Sequence, residues 1–274
     1  MVKHLIGIVA AIALLIFCTL LPFLPGRHDP LAIPVSAMAL VAGVVGLVLV
    51  PSGLLMIAAN HSPALAQHRY ALSLFALIAS SLVWGAVFLV ALVQSLVLGF
   101  AVFILWIFTT TRTWTRLRTT RGFSALPYYL VAVPIGAVLL QFTLIKPAVE
   151  YSRNRAIRNS APLIAAIEQH RTSQGRYPTS LQSVHPDFHP EVIGISQYHY
   201  EPRGDSYNLF FEQFTYQLGA REFVMYNPKD EHVMTSHAID LLELTPAQLA
   251  LEHTRGHNAR FDTPHPHWKY FWFD

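Results

Sequence analysis

Long apolar runs with brief polar interruptions fill the first half of the chain, and the period then changes. Residues 5–24 are apolar over the length that about 30 Å of hydrocarbon demands of a helix. Residues 33–59 repeat this, with Pro51 as an expected kink. Residues 70–109 carry no charge and run about twice the length of one crossing, so they must fold back, most simply at Gln94 and Ser95. Residues 127–145 supply a fifth run. The expected spans are therefore 5–24, 33–59, 70–92, 95–110 and 127–145. The first run is too long for the apolar core of a signal peptide, and no small-x-small cleavage site follows it directly. A retained anchor is expected.

Beyond Lys146 the punctuation is that of a folded soluble domain. Pro147 and Pro162 argue against one uninterrupted helix. Ser160 can cap a fresh start with Pro162 in its first turn. Ile157, Ala161, Ile164 and Ile167 form a stripe at helical spacing. Gly175 is placed to end that helix left-handed, Pro178 prevents easy continuation, and Thr179-x-x-Gln182 has capping-box spacing for a second short helix. Tyr177 is expected to pack over the turn. Two hairpins are then predicted: 197–201 with 206–213 around Pro202-Arg203-Gly204-Asp205, and 222–226 with 231–235 around Asn227-Pro228-Lys229-Asp230. Arg203-Gly204-Asp205 spells an adhesion tripeptide but reads as turn chemistry. Thr245-Pro246 opens a short helix through His253. The aromatic terminus alternates Trp268, Tyr270 and Trp272 with Lys269, Phe271 and Phe273, as a buried strand would.

Composition sharpens this division. The 274 residues are 53% hydrophobic and 13% charged, whereas soluble domains average roughly 25% charged. Through Glu150 the acids are Asp29 and Glu150 alone, against eight lysines and arginines. The remainder is slightly acidic and holds ten of the fourteen histidines. The pI near 9.0 is thus a topology signal rather than a sign of nucleic-acid binding. Arg112, Arg116, Arg118 and Arg121 make the connection before the fifth run the most basic, hence cytoplasmic. Counting back places the N-terminus inside, the Arg27/Asp29 connection outside, and the C-terminal domain outside. Lys146, Arg153, Arg155 and Arg158 conflict with that orientation, although large C-terminal domains translocate largely regardless of charge. No span carries a charge in its interior, which disfavours an ion-coupled transporter. Ala39-x-x-x-Gly43 and Ala42-x-x-x-Gly46 allow close helix approach, by intramolecular packing rather than dimerisation. The single cysteine, Cys18, excludes an internal disulfide, and bulky Phe17 before it argues against a lipid attachment site.

"AAIEQHRTSQGRYPTSLQSV", residues 165–184, resembles the helix end and turn of the major pseudopilins of type II secretion, which carry a similar Gly-Arg-Tyr-Pro-Thr element. Gly204-Asp205-Ser206-Tyr207 suits the hairpin that comes next in that family. "RGFSAL", residues 121–126, lies where a prepilin has its Gly-Phe cleavage site. Pro127, however, stands where prepilins carry a glutamate, and four spans precede it, so cleavage at Gly122 is not expected. The resemblance covers 126–213 and implies a pseudopilin-like α+β fold without incorporation into a filament.

The histidines are the remaining enrichment. His253-x3-His257 and His265-x-His267 could supply a zinc site with Glu252 or Asp262; His185-x3-His189 lies in a proline-flanked loop. No His-Glu-x-x-His, Cys-x-x-Cys, Gly-x-Ser-x-Gly or glycine-rich phosphate loop occurs, and Asp230/Glu231 reads as a solvated turn pair. The expected fold class is a membrane α-helical bundle of five transmembrane helices (1–146) followed by a small α+β pseudopilin-like domain (147–274). The expected role is a structural or protein-interaction component of the cell envelope, in the bacterial inner membrane, with no catalysis and no cofactor. Its partners would be the lipid bilayer and an envelope protein or a second copy, not nucleic acid. The alternatives are a zinc-binding sensor or hydrolase using His253, His257, His265 and His267, and a transporter or channel component.

Overall fold

A charge-free segment in lipid satisfies its backbone only by closing every N–H and C=O within the segment, and helix does this. The computed structural model describes residues 2–119, 125–184, 188–216, 221–232 and 259–273. Its helices are α1 (Val2–Leu20), α2 (Ala32–Gly46), α3 (Val50–His61), α4 (Pro63–Ala66), α5 (Arg69–Gln94), α6 (Leu96–Thr119), α7 (Leu126–Asn159) and α8 (Ala161–Gln174). Among the described residues, five helical stretches are long and apolar enough to cross a membrane: Val2–Phe23, Ala32–His61, Arg69–Gln94, Leu96–Thr115 and Leu126–Gln174. They make the chain a multi-pass membrane protein. It divides into two compact units, Met1–Leu21 with Leu31–Lys146, and Pro22–Pro30 with Pro147–Asp274.

In the first unit the fold-back falls at Ser95, whose backbone is extended. Its N–H donates to the Ala91 carbonyl (2.8 Å) and its carbonyl accepts from Gly99 (2.9 Å), so α5 ends and α6 begins with no gap in hydrogen bonding. Gly99 is required by proximity, since a Cβ there would lie 3.1 Å from the Leu92 Cα. A 3-10 turn at Leu47–Leu49 precedes α3, and Pro51 sits in the first turn of α3, where its missing N–H costs nothing. The small-residue face of α2 packs within the chain. Gln141 of α7 enters beside Gly43, and its Nε2 donates to Thr19 Oγ1 (2.9 Å) and the Ala39 carbonyl (3.1 Å). Ser36 donates to the Thr19 carbonyl (2.5 Å), so this polar knot ties α1, α2 and α7. Val87, Ala91 and Val102 form an apolar seam against α2.

The break expected at Pro147 does not occur, because α7 continues to Asn159. One proline removes one donor, and the packed residues beyond it keep the helix going. The chain breaks at Ser160, where the fresh start was expected. Its hydroxyl donates back to the Ile157 carbonyl (2.7 Å) rather than capping α8, while Pro162 lies in the first turn of α8. Across it the buried positions Ala156, Ser160, Leu163 and Ile167 keep a helical period, one residue before the expected Ile157, Ala161 and Ile164. Ala156, Ile157, Leu163 and Ile167 are buried, and Ala161 is exposed. Gly175 ends α8 left-handed at φ 72°, as its position required. In place of the expected capping box and second helix there is a 3-10 turn, Leu181–Ser183, with Ser180 at its start and no side-chain cap.

The sheet is antiparallel, with β1 (His199–Arg203), β2 (Ser206–Gln213), β3 (Arg221–Tyr226), β4 (Ala259–Asp262) and β5 (Trp268–Phe273) in the order β1-β2-β3-β5-β4. The first hairpin closes on Gly204 and Asp205; the positive φ at Gly204 alone is the pattern of a type II′ turn. The second expected hairpin fails in its partner. β3 pairs with β5, Tyr226 opposite Trp268, and residues 231–232 are not strand. The Asn227 side chain explains this. Its Oδ1 accepts from the N–H groups of Lys229 (2.9 Å) and Glu231 (3.1 Å), turning the chain away from β3. Residues 233–235, the helix expected from Thr245 and the Gly122-Phe123 pair lie outside the described residues. Tyr198, Tyr207, Leu209, Phe211, Val224 and Trp268 cover one sheet face against Leu163 and Ile167 of α8. Tyr177 packs edge-on to Tyr207 with ring centroids 4.9 Å apart, over the turn as expected.

One ion pair joins α7 to this sheet. Arg153 donates from Nε to Glu222 Oε1 (2.9 Å) and from Nη2 to Oε2 (3.0 Å), Trp272 Nε1 donates to the same Oε2 (2.7 Å), and the guanidinium lies 3.8 Å from the Tyr270 ring centroid. Glu222 is wholly buried. Glu222→Gln is expected to destabilise the protein by about 3–5 kcal/mol because it leaves a buried guanidinium unpaired. Arg153→Met with Glu222→Leu should recover most of that loss. Equilibrium unfolding of the detergent-solubilised protein, read by tryptophan fluorescence, checks both.

Candidate functional site

The histidines expected as ligands do not converge among the described residues. His253 and His257 lie outside those residues. His265 and His267 occupy the turn before β5 and look to different partners. His265 Nε2 donates to Asn154 Oδ1 on α7 (3.2 Å), and His267 Nδ1 donates to Asp230 Oδ2 (3.1 Å). No group of three or more His, Cys, Asp or Glu is arranged to hold a metal ion among the described residues. Asp262 instead faces Lys269 (3.5 Å), and Asp230, read from sequence as solvated, carries the His267 contact. His185 lies outside the described residues.

His232, which no motif singled out, is fully buried, the one such histidine among the described residues. Its Nε2 donates to the His267 carbonyl (2.9 Å), which also accepts from the Asn227 N–H (3.1 Å). This clasps the turn after β3 to the turn before β5. Burial pushes the His232 imidazole below its ordinary pKa, and burial with the nearby Arg158 does the same to His265. An unfolded histidine takes up a proton near pH 6.5, whereas these folded ones do so only at lower pH. Their contribution is therefore complete above about 6.5 and is lost as pH falls through that value towards the depressed folded pKa. The unfolding midpoint should drop between about pH 7.5 and about pH 5.5. His232→Gln, whose amide can still donate to the His267 carbonyl, should flatten that slope in thermal melts.

The open polar cavity of the second unit lies elsewhere. The connection after α1 is zipped antiparallel to residues 191–194. Gly26 N–H donates to the Glu191 carbonyl (3.2 Å), Ile193 N–H to Leu24 (3.0 Å), Gly194 N–H to Pro22 (2.7 Å) and Asp29 N–H to Ile193 (3.0 Å). Gly194 permits this approach, since a Cβ there would stand 2.6 Å from the Pro22 carbonyl oxygen. Phe23 is buried beside Phe214 and Tyr216. Beside the zipper opens a cavity of about 650 Å³, lined by Arg27, His28, His189, Glu191, Ile195 and Ser196. His28 is oriented by its Nδ1, which donates to the Ile193 carbonyl (3.1 Å), so Nε2 is the nitrogen left for a ligand. Glu191 sits at φ 56°, a left-handed conformation unusual for a residue with Cβ. Its carbonyl accepts from both Gly26 and Arg155 Nε (3.1 Å), which holds it there. Of these residues the sequence marks His189 as half of a histidine pair and Arg27 as a loop charge. Their meeting depends on pairing between segments more than 160 residues apart, and no local pattern encodes that.

In comparisons with known proteins, no family model, no curated protein and no solved structure matches the chain. Gly194→Ala should force the zipper apart and cost about 1–3 kcal/mol, as overpacking against backbone does. A lowered unfolding midpoint relative to Gly175→Asn, a substitution with no neighbour to strike and a residue tolerant of left-handed φ, would register it.

Proposed function

We propose that this protein is a membrane-anchored structural or protein-interaction component of the bacterial cell envelope, whose C-terminal α+β domain is pseudopilin-like and works without catalysis. In this reading it resides in the inner membrane, with its N-terminus cytoplasmic and the C-terminal domain on the periplasmic side. The observation that carries the reading is how the buried polar groups of the second unit are used. Ser152, Arg153, Ser160, Ser206, Asn208, Gln213, Glu222, Asn227 and His232 each make a hydrogen bond within that unit. Arg153 to Glu222, Gln213 to Val149, Asn227 to Asn208 and His232 to His267 each link separate segments, as a scaffold's polar groups do. The pseudopilin-like part is supported by a long helix that ends at the left-handed Gly175, the Tyr177-Pro178 turn and the antiparallel sheet after it.

Topology is supported by the zipper. The connection after the first crossing and the chain after the fifth belong to one unit, which supports a reading in which both are on one side of the membrane. Five crossings give the same parity, and the arginine-rich connection before α7 supports the N-inside direction. Fusions of alkaline phosphatase and of a cytoplasm-dependent fluorescent protein at Arg118 and Asp274 test this. Phosphatase activity at Asp274 and fluorescence at Arg118 are expected, and the reverse pattern would overturn the orientation. Saturable solute uptake or turnover by the reconstituted protein would overturn the non-catalytic role.

A further inference from the structure

We propose that the cavity beside the zipper binds a small zwitterion in which a phosphate is joined to a primary ammonium, of the phosphoethanolamine type. The cavity carries opposite charges that are not paired with each other. Arg27, His189 and the Glu191 carboxylate make no hydrogen bond or ion pair with any described residue, although all three are exposed in the cavity lining. His28 is fixed through Nδ1, which leaves Nε2 for a ligand. The Arg27 guanidinium and the His189 imidazole supply donors that suit the several acceptor oxygens of a phosphate, and His28 Nε2, an acceptor while Nδ1 donates, suits the ammonium. Glu191 is an acceptor and rejects a bare anion, but it completes the match for an ammonium two carbons away. The frame is preformed. The four zipper hydrogen bonds fix the Arg27 side of the cavity, and the doubly accepting Glu191 carbonyl holds that residue in a left-handed conformation of the kind that persists at ligand sites. At about 650 Å³ the cavity leaves room for a substituent on the phosphate. The ligand is therefore either a free phosphoethanolamine ester or the same headgroup on a membrane lipid. Such binding goes beyond the scaffold reading, which survives if the ligand fails.

The test uses the full chain in nanodiscs of phosphatidylglycerol, titrated calorimetrically with O-phosphoethanolamine and with inorganic phosphate, and native mass spectrometry of the chain from phosphatidylethanolamine discs. A free ligand predicts saturable O-phosphoethanolamine binding, weakened about tenfold or more by Arg27→Gln and by Glu191→Gln. Inorganic phosphate should bind more weakly and respond to Arg27→Gln alone. A lipid ligand predicts no binding of the free ester but retained phosphatidylethanolamine that is lost in both variants. Should Glu191→Gln not fold, Glu191→Asn replaces it, because asparagine tolerates the left-handed backbone. Absence of both signals, or phosphate binding as tightly as the ester with no effect at Glu191, overturns the proposal.

Discussion

Moving two charges out of water costs several kcal/mol each, and an arrangement that keeps them buried must offset that through geometry. The Arg153–Glu222 pair does so with two parallel N–H···O bonds, a third donor from Trp272 and an aromatic face against the guanidinium. Its consequence is register. Glu222 and Trp272 stand directly opposite one another on β3 and β5, so one residue of slippage would swing the carboxylate to the other face of the sheet and strand Arg153. The sheet order depends on the same contact. β5 lies between β3 and β4, so the aromatic strand is enclosed on both sides rather than left at an edge.

The pair also changes how charge in this chain is counted. Lys146, Arg153, Arg155 and Arg158 look from sequence like a basic cluster that contradicts the arginine-rich connection before α7. Arg153 is neutralised by Glu222, and Arg155 is engaged by the Glu191 carbonyl.

What was legible followed from local physics. Hydrocarbon length found the five long helices, polarity found the Ser95 fold-back, left-handed backbone marked Gly175, and glycine turn chemistry marked the β1–β2 hairpin. The misses came from long range. The partner of β3 is β5 because Asn227 redirects the chain, and β4 carries too little period in four residues to announce itself. The stripe around Ser160 falls on Ala156, Ser160, Leu163 and Ile167 because apolar residues stand side by side at Ala156-Ile157 and Leu163-Ile164, and spacing alone does not choose between them. At the candidate site the histidine spacings misled. His265 and His267, two residues apart, face Asn154 and Asp230, whereas the cavity collects His28 and His189 from distant segments.

The zipper between Pro22–Pro30 and residues 191–194 has a consequence for biogenesis. The first extramembrane connection emerges early in synthesis, yet its hydrogen-bonding partners are made only after every later crossing has been translated. Phe23 and the backbone groups of this segment must wait, solvated or chaperoned, through insertion of four more helices. Completion of the second unit thereby waits on synthesis of residues 191–194, and a chain that stops short of them leaves Pro22–Pro30 without its backbone partners.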